Sequence, residues 1–429
     1  MKFPNLYITF WRWHFWSGLV ITPVFIIATL SGALYIFKTE IEQQLYPDIF
    51  VVNANQHVAL AAAPLESLRK QIRTTLPGYE LDFVNISKDH RQAWEGIARP
   101  MELNGEKPTL YAYFDPYENR ITGVLDPHEG LFGTLLEIHR SILAGMFGRI
   151  LVELATCWGV ISVLTGLYLW WPRRKELFWG VWLPRFKGNS RKLLRDWHTV
   201  PAFYIAPFAI LILITGLLFS PIWGITYRAS TAVTGGFPAY FIEQPTSSAA
   251  GSVQINADEA LSIANQEFEF AGTNHSIQLA RPGSDSTYHV MSVVESPLEA
   301  IGVLFIDQFS GEVVISETAA DLPIRTRATL LFYPIHVGSI FGMPTKFIAL
   351  LTCIVLIVSV CLALWMWWRR RVPGSWGAPK KQPPEKIARW FVRTTVLLGV
   401  LFPVVGASLL LLAFIDWSKA KLFKPTPQN

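Results

Sequence analysis

Five apolar stretches constrain this chain more than any other feature, because each is long enough to cross a hydrocarbon core of about 30 Å. They lie near residues 10–37, 149–171, 197–220, 346–368 and 391–415. Composition agrees: 51% of the 429 residues are hydrophobic and 16% are charged, against about a quarter charged in a soluble chain. The run Phe15–Phe37 is too long for the core of a signal peptide and no A-x-A site follows it, so it reads as an uncleaved anchor.

Basic residues set the sidedness. The 172–196 loop holds Arg173, Arg174, Lys175, Arg185, Lys187, Arg191, Lys192 and Arg195, and the 369–390 loop holds Arg369, Arg370, Arg371, Lys380, Lys381, Lys386 and Arg389. Both should face the cytoplasm, which puts 38–138 and 221–335 in the periplasm of a bacterial inner membrane. Lys419, Lys421 and Lys424 in the tail 416–429 fall on the other side and are outvoted by the two loops. The net charge of +5 comes from these membrane-flanking clusters and does not point to nucleic acid.

One unit is used twice. Trp13-His14 recurs as Trp197-His198, each followed nine residues on by a proline (Pro23, Pro207) and then by a hydroxyl–glycine pair (Ser31-Gly32, Thr215-Gly216). Ile138-His139 recurs as Ile335-His336, with a basic residue ten positions later, Arg149 and Lys346. Each copy ends in a double tryptophan beside arginines, Trp170-Trp171-Pro172-Arg173-Arg174 and Trp367-Trp368-Arg369-Arg370. From Arg149 to Trp171, and from Lys346 to Trp368, is 22 steps, about 33 Å of helix. His139 and His336 should therefore sit just outside a span. The segments 139–171 and 336–368 then open at the interface, broken by Gly145 and Gly148 or by Gly342 and Pro344.

The intervening segments should each form a small α+β domain. In the second, an amphipathic helix starts at Ala257-Asp258-Glu259-Ala260-Leu261 and runs to Phe268, and a hairpin joins Gly302–Asp307 to Glu312-Val313-Val314 through Ser310-Gly311. In the first, Tyr111–Asp115 and Arg120–Gly123 flank a turn at Asn119. Asp115 and Asp307 are 192 residues apart, in step with the histidine spacings of 184 and 197. The expected fold is a mainly α-helical membrane protein with five transmembrane helices and two small periplasmic α+β domains, internally repeated.

Four of the nine histidines fall at the repeated helix ends, His14 and His198 on the inner side and His139 and His336 on the outer side. Ionisable groups in a membrane are costly and usually functional. Two imidazoles from two helices at one depth are what a six-coordinate b-type haem needs for its axial positions. The expectation is two haem b groups with these four histidines as iron ligands. Cys157, Cys353 and Cys361 lie in apolar runs without a C-x-x-C-H motif. The haems would be held non-covalently, and the cysteines read as small packing residues. Arg149 and Lys346 stand where they would bind propionates of the outer haem, with snorkelling to the interface as the alternative. Arg12 and Arg195 have the same two readings on the inner side. His128, His289, Tyr113 and Tyr288 are candidate contacts for an electron acceptor, set against plain surface or core placement.

The helix-end W-H and I-H pairs, the Trp-Trp-Pro-Arg-Arg exit and the interposed domains resemble the PepSY-associated transmembrane family, from Phe10 to near Arg371. The resemblance implies domains of PepSY type, two b haems on His14, His139, His198 and His336, and a fifth helix as an addition. Members include iron-regulated inner-membrane proteins and di-haem ferric-siderophore reductases, which implies a haem-dependent ferric reductase. The fourth span departs from the pattern: the pairs Thr165-Gly166 and Thr215-Gly216 have no counterpart near Val360. Without a G-x-G-x-x-G fingerprint, P-loop or flavin domain the chain cannot take hydride from NAD(P)H unaided. The donor would be a quinol or a separate flavoprotein, and the acceptor a ferric siderophore. Two other readings stay open: a quinol-linked di-haem cytochrome serving another periplasmic acceptor, and a non-redox membrane protein whose repeated domains bind a peptide or protease.

Overall fold

The structure, a computed structural model, describes residues 6–52, 64–102, 107–172, 178–248, 253–268, 273–281, 283–293, 301–379 and 389–422. Of the basic clusters, Arg173, Arg174, Lys175, Lys380, Lys381, Lys386, Lys424 and the side chains of Arg389, Lys419 and Lys421 lie outside the described residues. In chain order the helices are α1 (Leu6–Tyr35), α2 (Lys38–Leu45), α3 (Pro47–Phe50), α4 (Leu65–Thr75), α5 (Gly130–Ser141), α6 (Gly145–Trp170) and α7 (Ser190–Leu217). They continue as α8 (Trp223–Val233), α9 (Ala257–Glu267), α10 (Ile324–Leu330), α11 (Phe332–Val337), α12 (Met343–Arg370), α13 (Arg389–Leu401) and α14 (Pro403–Leu422).

Four of these, α1, α6, α7 and α12, are long and apolar enough to cross a membrane. They close into a ring: α1 packs on α6 and α12, and α7 packs on the same two. The segment expected as a fifth span takes another form, two shorter apolar helices, Val392–Leu401 and Pro403–Ile415. Pro403 lacks the N–H that a continuous helix needs and its ring disfavours helical backbone at Phe402. Gly399 and Gly406 then meet backbone to backbone. Seven residues of straight helix would hold them about 10 Å apart, so the chain turns back here. Val404 and Val405 bury themselves against Cys157 and Ile161 of α6.

Outside the ring lie, among the described residues, eight strands: β1 (Tyr79–Ile86), β2 (Trp94–Pro100), β3 (Leu110–Asp115), β4 (Arg120–Leu125), β5 (His275–Gln278), β6 (Tyr288–Ser292), β7 (Gly302–Ile306) and β8 (Val313–Thr318). They form one sheet, in the order β4-β3-β2-β1-β5-β6-β7-β8. The two expected domains are thus fused through an antiparallel β1–β5 pairing, from Phe83 opposite Gln278 to Ile86 opposite His275. Helices α4 and α9 cover one face, where Leu68, Ile72, Ala260 and Ala264 pack with Val84, Ile277 and Val290 in one buried cluster. A second link crosses the join: the Asp258 carboxylate at the start of α9 accepts the Leu65 and Glu66 N–H groups at the start of α4.

Both expected hairpins are present and share one device. Asp115 accepts from the N–H groups of Tyr117 and Glu118, and Asp307 from those of Phe309 and Ser310. Four residues after each aspartate the backbone turns left-handed, at Asn119 and Gly311, residue types that tolerate that region.

Ile277 is fully buried at the β1–β5 join. Ile277→Ala should cost about 2–5 kcal/mol, read as a lower thermal transition of the full chain in detergent. Val314→Ala, on the exposed side of β8, should cost under about 0.5 kcal/mol. Burial works to raise the Asp307 pKa, but the N–H groups of Ser310, Ser248 and Phe309 and the Ser248 hydroxyl outweigh it and hold the pKa down to about 2. Because the folded pKa is depressed, this contribution is fully present above the unfolded value and is lost as pH falls through about 2. Asp307→Asn should remove that part of the acid dependence of the unfolding midpoint.

Candidate functional site: two facing histidine pairs

His14 lies two turns into α1 and His198 two turns into α7, while His139 and His336 lie near the ends of the short helices α5 and α11. The ring brings them together in pairs. The His14 and His198 ring centroids are 6.2 Å apart, and those of His139 and His336 are 6.0 Å apart. Each imidazole is fixed in the same way, by Nδ1 against a backbone carbonyl of a neighbouring helix: His14 on Ser162 at 2.9 Å, His139 on Ala28 at 2.8 Å, His198 on Ser359 at 2.8 Å and His336 on Ile212 at 2.9 Å. A carbonyl only accepts, so Nδ1 carries the proton and donates, and Nε2 of the neutral ring keeps its lone pair. Among the described residues no group hydrogen-bonds any of the four Nε2 atoms.

Three glycines make this approach possible. The residue four positions after the accepting carbonyl is Gly166 for His14, Gly32 for His139 and Gly216 for His336. A Cβ there would stand 3.1, 2.9 and 2.6 Å from the imidazole Cε1 respectively. The hydroxyl–glycine repeats are therefore imidazole seats. In the fourth span the matching position after Ser359 is Ala363, so His198 is seated against a helix without this gap.

From His14 to Ala28, the carbonyl that holds His139, is fourteen residues, and the same count separates His198 from Ile212. At 1.5 Å per residue the two pairs are about 21 Å apart along the helices. A metal–imidazole bond is about 2 Å long, so two imidazoles on one metal put their ring centres about 6 Å apart. Both pairs meet that spacing. Among the described residues no third His, Cys, Asp or Glu joins either pair. Each pair thus offers two nitrogen ligands.

A cavity of about 530 Å³ surrounds His139 and His336 and reaches from Phe25 and Leu356 inside the ring to Tyr111 under the sheet. Arg149 lines it, donating to the Phe219 carbonyl at 3.2 Å. Lys346 does not stand beside it: its ammonium is paired with Glu40 at 2.6 Å. Arg12 donates one N–H to the Pro379 carbonyl, and Arg195 pairs with Asp196 at 2.9 Å. Of the candidate acceptor contacts only His128 lines the cavity. Tyr113 donates to Glu95, and burial and that carboxylate raise its pKa. Tyr288 is fully buried and donates to the Ile255 carbonyl. His289 stacks on Phe305 at 4.2 Å, and burial lowers its pKa to about 4. Arg140, Tyr35, Tyr111 and Tyr333 do line the cavity; only Arg140 had a local signal, its place next to His139.

At the other end, two straps after the double tryptophans repeat a Trp-Gly pair, Trp179-Gly180 and Trp376-Gly377. Trp170 Nε1 donates to Val181 O at 3.2 Å, and Trp367 Nε1 to Trp376 O at 2.8 Å. The first strap is pinned to the start of α7 by Arg185–Asp196 at 2.8 Å, the second to the start of α1 by Arg12.

Four spanning helices that carry two facing imidazole pairs beneath a shared sheet define a multi-pass membrane protein. Residues 11–370 match the family described as PepSY-associated TM region, and the chain belongs to it. No curated protein is significantly similar to the chain.

Gly216→Ala should push the His336 ring off Ile212, costing about 1–3 kcal/mol as an overpacked site. The His336 Nδ1 proton should then vanish from the downfield imidazole region of the proton–nitrogen spectrum. Gly18→Ala, which meets open space, should leave it in place.

Proposed function

We propose that this chain is a di-haem b-type electron-transfer protein of the bacterial inner membrane that reduces ferric siderophores in the periplasm and so releases ferrous iron. The observation that carries the proposal is the two facing imidazole pairs, 6.2 and 6.0 Å apart, each ring locked through Nδ1 with Nε2 left over. His14 with His198, and His139 with His336, would hold the iron of two haem b groups. When bound, b haem supplies a one-electron exchange between ferric and ferrous iron.

The protein's own residues supply the rest. The Nδ1–carbonyl bonds fix tautomer and ring orientation and raise the basicity of Nε2. The apolar inner faces of the ring keep water from the space between the pairs. Arg185, Lys187, Arg191, Lys192, Arg195, Arg369, Arg370 and Arg371 flank the His14/His198 end, which supports a cytoplasmic position for that end and a periplasmic one for the sheet. The donor, a quinol or a separate flavoprotein, meets the strapped end, and the acceptor meets the cavity under the sheet. The acceptor class rests on the resemblance to di-haem ferric-siderophore reductases. It also suits iron chemistry, since hard oxygen ligands hold ferrous iron less well than ferric.

Visible spectra of the detergent-purified protein, oxidised and dithionite-reduced, test the proposal. Sharp reduced α-bands and two haems per chain are expected, with His14→Ala and His139→Ala each losing one, and a different one. A colourless protein after expression with ample haem would overturn it.

A further inference from the structure

Two arginines line the cavity at His139 and His336 without a counter-anion among the described residues. Arg140 follows His139 at the exposed end of α5, and Arg149 sits deeper, in the first turns of α6. Among the described residues Arg140 has no hydrogen-bond or ion-pair partner. Arg149 spends only Nη2, on the Phe219 carbonyl. A guanidinium carries five N–H donors and no acceptor, so most of this donor capacity is unused. The acid that lines the same cavity, Glu153, does not answer it: both of its oxygens are taken by the N–H groups of Ile222 and Trp223. The repeat sharpens the contrast. Positions 197 residues on are Val337 and Lys346, and Lys346 is committed to Glu40. Among the described residues, the free guanidinium charge lining this cavity therefore comes from the first half of the chain.

We infer that Arg140 and Arg149 form a carboxylate clamp that holds the acidic side arms of the prosthetic group seated between His139 and His336. The inference rests on the di-haem reading above and replaces Lys346 with Arg140 as the partner of Arg149. Planar guanidinium and carboxylate match in two-point, charge-assisted hydrogen bonds. With both cations on α5 and α6, the group has one favoured orientation. A carboxylate on an incoming substrate would suit the same chemistry, so the two sources have to be separated.

The full chain, produced in a haem-deficient host, is titrated in detergent with haem b or with haem dimethyl ester, whose side arms carry no charge. The wild type should bind the ester at the His139/His336 site about tenfold or more weakly than haem b. Arg140→Gln and Arg149→Gln should weaken haem b by a similar factor and the ester hardly at all. They should also lower the reduction potential of that haem, because a nearby cation favours the added electron. Uptake at the His14/His198 site should not change, which controls for folding, and Arg140→Lys should recover part of the affinity. Equal binding of haem b and ester by the wild type, with a raised KM for an anionic ferric chelate in the Gln variants, would assign the arginines to substrate and overturn the clamp. No haem uptake at either site, unchanged by His139→Ala, would instead refute the di-haem reading beneath it.

Discussion

Four hydrogen bonds from imidazole Nδ1 to the carbonyls of Ser162, Ala28, Ser359 and Ile212 organise this molecule. Each joins two helices, so together they tie α1 to α5 and α6, and α7 to α11 and α12. Each also decides which nitrogen holds the proton, and so which one can bind a metal. A ring that reaches a helix backbone must pass where a side chain would stand. Glycine follows four residues later in three of the four cases for that reason, at Gly166, Gly32 and Gly216, while Ala363 stands at the fourth.

The two halves are alike where the imidazoles are held and differ around them. Gly338 takes the left-handed turn after α11, whereas the first half uses Ile142 and Leu143 there, at φ 48° and 60°, a region that is costly for such side chains. Lys346 is drawn to Glu40, while its counterpart Arg149 faces the cavity. Glu153, with Leu350 in its place in the second half, binds the start of α8 and holds the path from α7 to the sheet. A repeat with such differences gives two unlike ends: an open cavity under the sheet and a strapped, tryptophan-rich face at His14 and His198.

Much of this was legible in the residues. The Trp-His and Ile-His spacings place four imidazoles at two depths, and both hairpins follow from their aspartates and turn residues. The meaning of the hydroxyl–glycine pairs was not legible, because a seat is defined by a ring from another helix, and helix neighbours are not written in a local pattern. The β1–β5 pairing joins residues almost two hundred positions apart, and alternation in each strand looks the same whether two sheets stay separate or merge. Lys346 and Glu40, 306 residues apart, are a pair for the same reason that no spacing rule reveals. The break at Pro403 is written as a proline within an apolar run, a signal that length and hydropathy alone do not carry.

The central claim is that electrons cross the bilayer through two histidine-held sites about 20 Å apart. It is tested most directly in sealed vesicles that hold a membrane-impermeant reductant inside, with the sheet facing out and a ferric chelate supplied outside. The account predicts that the external chelate is reduced by vesicles with the wild-type chain, and that either His14→Ala or His139→Ala stops it. Vesicles that retain both haems yet pass no electrons to the outside would contradict it.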